Sequence, residues 1–221
     1  VFVALADHLA RDERIGSIYG FQPHGLENRG FPDWTVGVAA RRHLRELRRL
    51  QPSGPYVLLG HSLGGLIALE VARRLLRAGE QVALVMTLDT FVPQHTARAV
   101  GSSAQTPTTA ESDQRPQLSR SQLWRNRIQL LRAGFLTDQP VESARAMEQV
   151  GWRVGRFHRP SPYHGRVLVV LGADNNHDER VWTDQLTPGD ITITRVQADH
   201  MSIVREPHIT EVVGHFLDAL P

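Results

Sequence analysis

Apolar residues recur along this chain at helical spacing in some stretches and in strand-sized runs in others, and the alternation predicts its layers. Phe2, Leu5, Ala6 and Leu9 fall at helical spacing, while Ile18, Tyr19 and Phe21 predict a short buried strand ended by Pro23 and Gly25. Val36, Ala40, His43, Leu44 and Leu47 share one face of a helix that should stop at Gln51-Pro52-Ser53-Gly54. Residues 56–59 then form a continuous apolar strand, followed by a Gly-rich turn, a helix over about 62–78 and a buried strand over 81–88. Gly79 suits the left-handed position just after that helix. Strand, helix, strand at this spacing is a βαβ unit and calls for a parallel sheet.

The pattern breaks after this unit. Across 94–117 the only Val, Leu, Ile, Met or aromatic residue is Val100, so the stretch reads as a mobile loop that cannot contribute to a core. Two amphipathic helices are expected next. One carries Leu123, Trp124, Ile128 and Leu131, and the other Ala144, Met147, Val150, Val154 and Phe157. Strands return at 167–171 and 191–196, and a last helix over 207–220 has proline at its first position, where no backbone N–H is needed. A sheet interrupted by about fifty mostly polar and helical residues predicts one α/β domain over 1–221, with a lid insertion at about 92–144.

Composition removes several chemistries. With no cysteine among 221 residues, a disulfide framework, a thiolate metal site and a cysteine nucleophile are all excluded. Every one of the 25 basic residues is arginine, which excludes a Walker P-loop and Schiff-base catalysis. The net charge is only +2, so the high isoelectric point reflects arginine's own pKa and not a large excess of charge. Arg41, Arg42, Arg45, Arg48 and Arg49 are spaced so that most of them lie on the water-facing side of one helix. They read as a solvated face, or else a docking patch for an acidic partner. No aromatic interleaving accompanies them, so nucleic acid is not the expected partner. No apolar run approaches the length of a membrane span, and the N-terminal residues do not read as a signal peptide, so a cytoplasmic, membrane-free domain is expected.

The sharpest chemical signal is Gly60-His61-Ser62-Leu63-Gly64-Gly65, a G-x-S-x-G sequence between a predicted strand and a predicted helix. That context is what a nucleophile elbow requires: glycine at 60 and 64 should let backbone pass closely while Ser62 takes a strained turn. Its hydroxyl would project at a helix N-terminus, where the Leu63 N–H could stabilise an oxyanion. A serine nucleophile needs a histidine base held by an acid. Of the eleven histidines, His200 lies just past the last strand, where the order serine, acid, histidine places the base. His208 and His215, one helix later, read as surface or packing residues, and His61 should diverge from its neighbour Ser62 at the tight turn. Two acids, Asp89 and Asp174, end successive strands at the crevice where open parallel sheets bind ligands.

The segment 55–90, PYVLLGHSLGGLIALEVARRLLRAGEQVALVMTLDT, resembles the core of type I thioesterase domains of nonribosomal peptide and polyketide synthases. The likeness includes Tyr19-Gly20-Phe21-Gln22-Pro23-His24-Gly25-Leu26 upstream and Asp199-His200-Met201-Ser202 with Arg205-Glu206-Pro207-His208 downstream. It implies an α/β-hydrolase fold with a helical lid. It also implies Ser62 as the acylated nucleophile, Asp89 in Leu88-Asp89-Thr90 as the acid and His200 as the base. The partner it implies is a carrier-protein domain, expected upstream in the same chain, that delivers a small acyl or peptidyl group on phosphopantetheine. No metal or organic cofactor is called for. In the family a second oxyanion donor follows an N-terminal strand, and that strand and donor are expected to lie before Val1.

Other readings compete with this one. A free-standing type II editing thioesterase or general esterase would carry the same triad, and a catalytically silent docking module would keep the fold alone. Asp174-Asn175-Asn176-His177-Asp178-Glu179 imitates the start of a calcium loop, but Glu179 stands where that loop needs glycine and Gln185 where it needs glutamate. Trp182 and Tyr163 are expected to pack beside the sheet. Asp174 sits in a polar, solvated loop, a poor place for the buried acid that orients a histidine.

Overall fold

The structure, a computed structural model, describes residues 2–24, 31–93, 96 and 140–221. Its elements in chain order are α1 (Val3–Leu9), α2 (Val36–Leu50), β1 (Tyr56–His61), α3 (Leu63–Arg77) and β2 (Val82–Leu88), then α4 (Pro140–Phe157), β3 (Val167–Leu171), β4 (Ile191–Arg195) and α5 (His208–Ala219). A π-helical turn, Val181–Leu186, precedes β4. The four strands form a parallel sheet in the order β1-β2-β3-β4. The architecture is the α/β class expected from the sequence. Nearly all of the insertion expected over 92–144 lies outside the described residues, including the polar stretch and the helix expected around Leu123.

Side-chain alternation along the two central strands assigns the two faces. Leu84, Met86 and Leu88 of β2 and Leu168 and Val170 of β3 point to one side, where Leu5 and Leu9 of α1 and Ile209, Val212, Val213 and Phe216 of α5 cover them. Val85, Val167, Val169 and Leu171 point to the other, against Ala68, Leu69 and Ala72 of α3 and against Tyr163, Val181, Trp182 and Leu186. Both faces are therefore covered, which is why these strands read as unbroken apolar runs and not as alternating ones. Tyr163 and Trp182 pack beside the sheet as expected.

Helix ends follow local chemistry. The Thr35 hydroxyl accepts from the Val38 N–H at 3.1 Å and caps α2. At the other end of α3, Gly79 takes a φ of 78°, the left-handed value expected there. On α2, Arg41, Arg45, Arg48 and Arg49 are exposed, whereas Arg42 turns inward to donate to Asp33 at 2.6 Å and to the Gln22 carbonyl at 2.9 Å.

Three expectations need correction. Residues 18–21 form no strand: they join no sheet ladder, and Ile18 and Tyr19 are exposed. Three apolar residues without a ladder partner are too few to hold a strand. Phe21 instead anchors this extended segment by stacking on His43, with ring centroids 5.3 Å apart. Phe157, placed on the apolar face of α4, is exposed at the helix end with the guanidinium groups of Arg153 and Arg156 about 6 Å from its ring. The glycine requirement at the elbow falls on residues 60 and 65, not on 60 and 64. A Cβ at Gly60 would lie 2.1 Å from the Gly64 carbonyl oxygen, and one at Gly65 would lie 1.9 Å from Thr90 Oγ1, whereas one at Gly64 would meet nothing within 4 Å.

The stability consequence is direct. Gly60→Ala should cost about 1–3 kcal/mol or more, because its overlap is with backbone that cannot rotate away. Gly64→Ala should be neutral or stabilising by up to about 1 kcal/mol, since it adds helix propensity in open space. Urea denaturation midpoints of the two variants test the pair, and equal losses would contradict it.

Candidate active site

β1 ends at His61 and α3 begins at Leu63, so Ser62 alone makes the turn between them. Its φ of 56° and ψ of −126° lie where L-residues seldom sit, a strain of order 1–3 kcal/mol. Backbone bonds on both sides hold the turn: the Ser62 N–H donates to the Leu88 carbonyl at 2.9 Å, and the Gly65 N–H donates to the Ser62 carbonyl at 3.1 Å. Leu63 is the first residue of α3, so its N–H has no intrahelical carbonyl to serve and stands beside the serine. The Leu63 side chain packs into the surface of α4 at Gly151 and Gly155, one helical turn apart, where a Cβ would approach it at 3.6 and 3.4 Å.

Asp89 follows β2 directly, with a φ of 43° and its N–H donating to the Val170 carbonyl at 2.7 Å. Its carboxylate is buried and surrounded by donors. Oδ1 accepts from the Gly172 N–H and from Asn175 Nδ2, each at 2.9 Å, and Oδ2 accepts from His200 Nδ1 at 2.6 Å. Burial pushes the carboxyl pKa up, but the hydrogen bonds from His200, Gly172 and Asn175 outweigh it and hold the group below its ordinary value.

A carboxylate can only accept, so the proton on His200 sits on Nδ1 and Nε2 presents a lone pair. Ser62 Oγ lies 3.1 Å from that Nε2. His200 is carried by a turn between β4 and α5. There Asp199 Oδ1 accepts from the Met201 and Ser202 N–H groups at 2.8 and 2.9 Å, and the Ser202 hydroxyl accepts from the Asp199 N–H at 3.0 Å. The structure thus brings Ser62, His200 and Asp89 into one hydrogen-bonded chain. Asp174 is exposed and takes no part in it. His208 and His215 lie on α5, half-buried, and His215 faces Thr194 and Glu211.

Several neighbours of the triad escape sequence reasoning. Asn175 and His177 belong to the loop expected to be solvated, yet both are buried. Burial lowers the His177 pKa, and the Asp89 charge acts against that shift. His61 points away from Ser62 yet still reaches the site: its ring stacks on His200 with centroids 4.6 Å apart and planes at 27°. Strand parity holds the missed signal, because Leu59 faces the α1/α5 side and His61, two residues on, must do the same. Burial and the neighbouring His200 hold the His61 pKa down to about 4. Phe91 also abuts His200 at 4.6 Å, and Trp152 of α4 stacks on Phe91 at 5.4 Å.

Comparisons with known proteins identify the family. The thioesterase domain model matches residues 1–220. Enterobactin synthase component F of Escherichia coli O157:H7 is 54% identical over 83 residues, covering 36% of this chain and 6% of that protein. The chain spans only a few per cent of the length of such multidomain relatives. Among solved structures, the Vlm2 thioesterase domain bound with a dodecadepsipeptide aligns over 100% of this chain and 88% of its own, at 21% identity and a TM-score of 0.61. The type II thioesterase BorB from the borrelidin biosynthetic cluster aligns over 90% of this chain and 77% of its own, at 20% identity and a TM-score of 0.59. The chain therefore belongs to the thioesterase family, as a domain related to the terminal thioesterases of nonribosomal peptide and polyketide synthases.

Proposed function

We propose that this domain releases an acyl or peptidyl chain from a carrier-protein phosphopantetheine thioester through an acyl-Ser62 intermediate. The observation that carries the reading is the hydrogen-bonded chain from Ser62 Oγ through His200 to the buried Asp89 carboxylate. Ser62 Oγ attacks the thioester carbonyl carbon while its proton passes to His200 Nε2. The Leu63 N–H donates to the oxyanion as it forms. The carbon–sulfur bond then breaks, and the pantetheine sulfur leaves with the proton from Nε2. In the second half, His200 takes a proton from water, or from a nucleophile within the bound chain. The oxygen or nitrogen so freed attacks the ester carbonyl, and Ser62 Oγ recovers its proton. Asp89 holds the tautomer that leaves Nε2 unprotonated and offsets the positive charge that His200 gains in each half. The carrier would be a domain of the same chain, in the cytoplasm.

A free-standing editing thioesterase is the second reading, favoured by the structural likeness to BorB. The two differ in what lies upstream. A carrier domain directly before this one in the full-length protein would support the fused release domain. A full-length protein without one would support the editing enzyme.

Ser62→Ala should leave folding almost unchanged and lower thioester turnover by at least about a thousandfold, given what loss of a triad serine removes elsewhere. Activity within tenfold of the parent would overturn the nucleophile assignment. Asp89→Asn and Asp174→Asn form a matched pair, in which loss of the charge at 89 should cost about three to four orders of magnitude, and the change at 174 almost nothing. A large loss at 174 with normal turnover at 89 would reverse the assignment of the acid.

The Asp89 pKa also predicts a pH effect on stability. Because the folded value lies below the unfolded value of about 3.9, the ionised group stabilises the fold above that pH. The contribution is lost as pH falls through the folded value. The difference in urea midpoint between parent and Asp89→Asn should therefore narrow from pH 5 to pH 3, and a constant difference would contradict this.

A further inference from the structure

Strand parity places His61 under the triad. Leu59 packs on the face covered by α1 and α5, and His61 extends on that same side from the end of β1, toward the turn that carries His200. Two contacts join the residues. His61 Nε2 lies 2.9 Å from the His200 carbonyl oxygen, which can only accept, so Nε2 carries the proton and donates it. The rings themselves stack at 4.6 Å and 27°. Phe2, just before α1, closes the arrangement with its ring edge-on to His61 at 6.1 Å.

We infer that His61 is a positioning residue for His200, fixing the base by one hydrogen bond to its backbone and one ring contact to its side chain. The inference rests on reading His200 as the base. The turn around His200 is otherwise pinned from the Asp199 side by bonds to Ser202 and Met201. His61 supplies a hold on residue 200 itself, directed from the strand that ends in the nucleophile. One rigid segment therefore carries both Ser62 and the support for its base. Burial keeps His61 neutral, so the ring supports the imidazolium formed during the reaction without adding a second positive charge. His61 touches neither the serine hydroxyl nor the substrate carbon in this scheme and acts only through His200.

Three substitutions separate the two contacts. His61→Phe keeps a ring and removes the donor, His61→Gln keeps a donor at similar reach and removes the ring, and His61→Ala removes both. The readouts are the rate at which a fluorophosphonate probe labels Ser62, kcat and KM on an acyl-pantetheine thioester, and melting temperature. Misplacing the base should slow labelling and kcat about tenfold to a hundredfold in the Phe and Ala variants, with KM within about twofold. His61→Gln should recover to within about fivefold of the parent, since the donor returns. Parent-like rates in His61→Phe would overturn the inference, as would His61→Gln no faster than His61→Phe at matched melting temperatures. If His61→Ala fails to fold, the Phe and Gln pair still decides. His200→Ala in the same labelling assay keeps the two levels apart. Undiminished labelling there would remove the triad reading itself, whereas lost labelling there with normal rates in His61→Phe would remove only the role of His61.

Discussion

The site depends on the register in which β1 pairs with β2. His61 lies opposite Leu88, and Leu88 lies opposite Val170 on β3. Three strand ends are thereby brought to one level, and Ser62 and Asp89 leave the sheet side by side as the next residues of paired strands. A slip of one residue would turn every side chain of β1 to the other face and move serine and acid apart along the crevice. The slip is blocked by packing: β2 and β3 have apolar side chains on both faces, already matched to α1 and α5 on one side and α3 on the other. The burial that makes these strands an apolar run also aligns the chemistry at their ends.

Placing Asp89 at that level creates an electrostatic problem that the loop after β3 solves. A buried carboxylate without partners would cost several kcal/mol and would pick up a proton instead. Here Gly172 and Asn175 donate to one oxygen and His200 to the other, so both are satisfied within the crevice. Gly172 is also a tight position, because a Cβ there would lie 2.8 Å from the Ala198 carbonyl oxygen and 3.2 Å from Asp89 Oδ1. The β3 loop is therefore the seat of the acid, even though it contributes none of the three chain-linked side chains.

Much of this was legible in the sequence, and the omissions have physical reasons. The elbow could be read because its glycines and flanking apolar runs are local, and the βαβ unit around it because covered strands are apolar throughout. Strand ends point to His200 and to two acids, Asp89 and Asp174, and the family resemblance together with the polar loop around Asp174 favours Asp89. The neighbours could not be placed. Asn175 and His177 sit among aspartates and asparagines, which composition alone marks as solvent-facing, and only the path of the chain over Asp89 buries them. The turn's own residues do not separate Gly64 from Gly65, because the tight contact at Gly65 comes from Thr90, past the end of the next strand. The segment 18–21 failed as a strand for a similar reason, since its pattern is local but a ladder partner is not.

The ring column Trp152–Phe91–His200–His61 gives the domain an optical property. Trp152 is exposed on α4 and stands two ring contacts from the imidazole that binds Ser62, while Trp182 is fully buried against the sheet. Indole emission responds to the polarity and charge around the ring. Replacing the other indoles would leave Trp152 as an intrinsic fluorescent reporter, stacked on the ring that abuts His200. Events at Ser62 would then be read as light from the polypeptide itself, with no dye attached and no cysteine introduced to hold one.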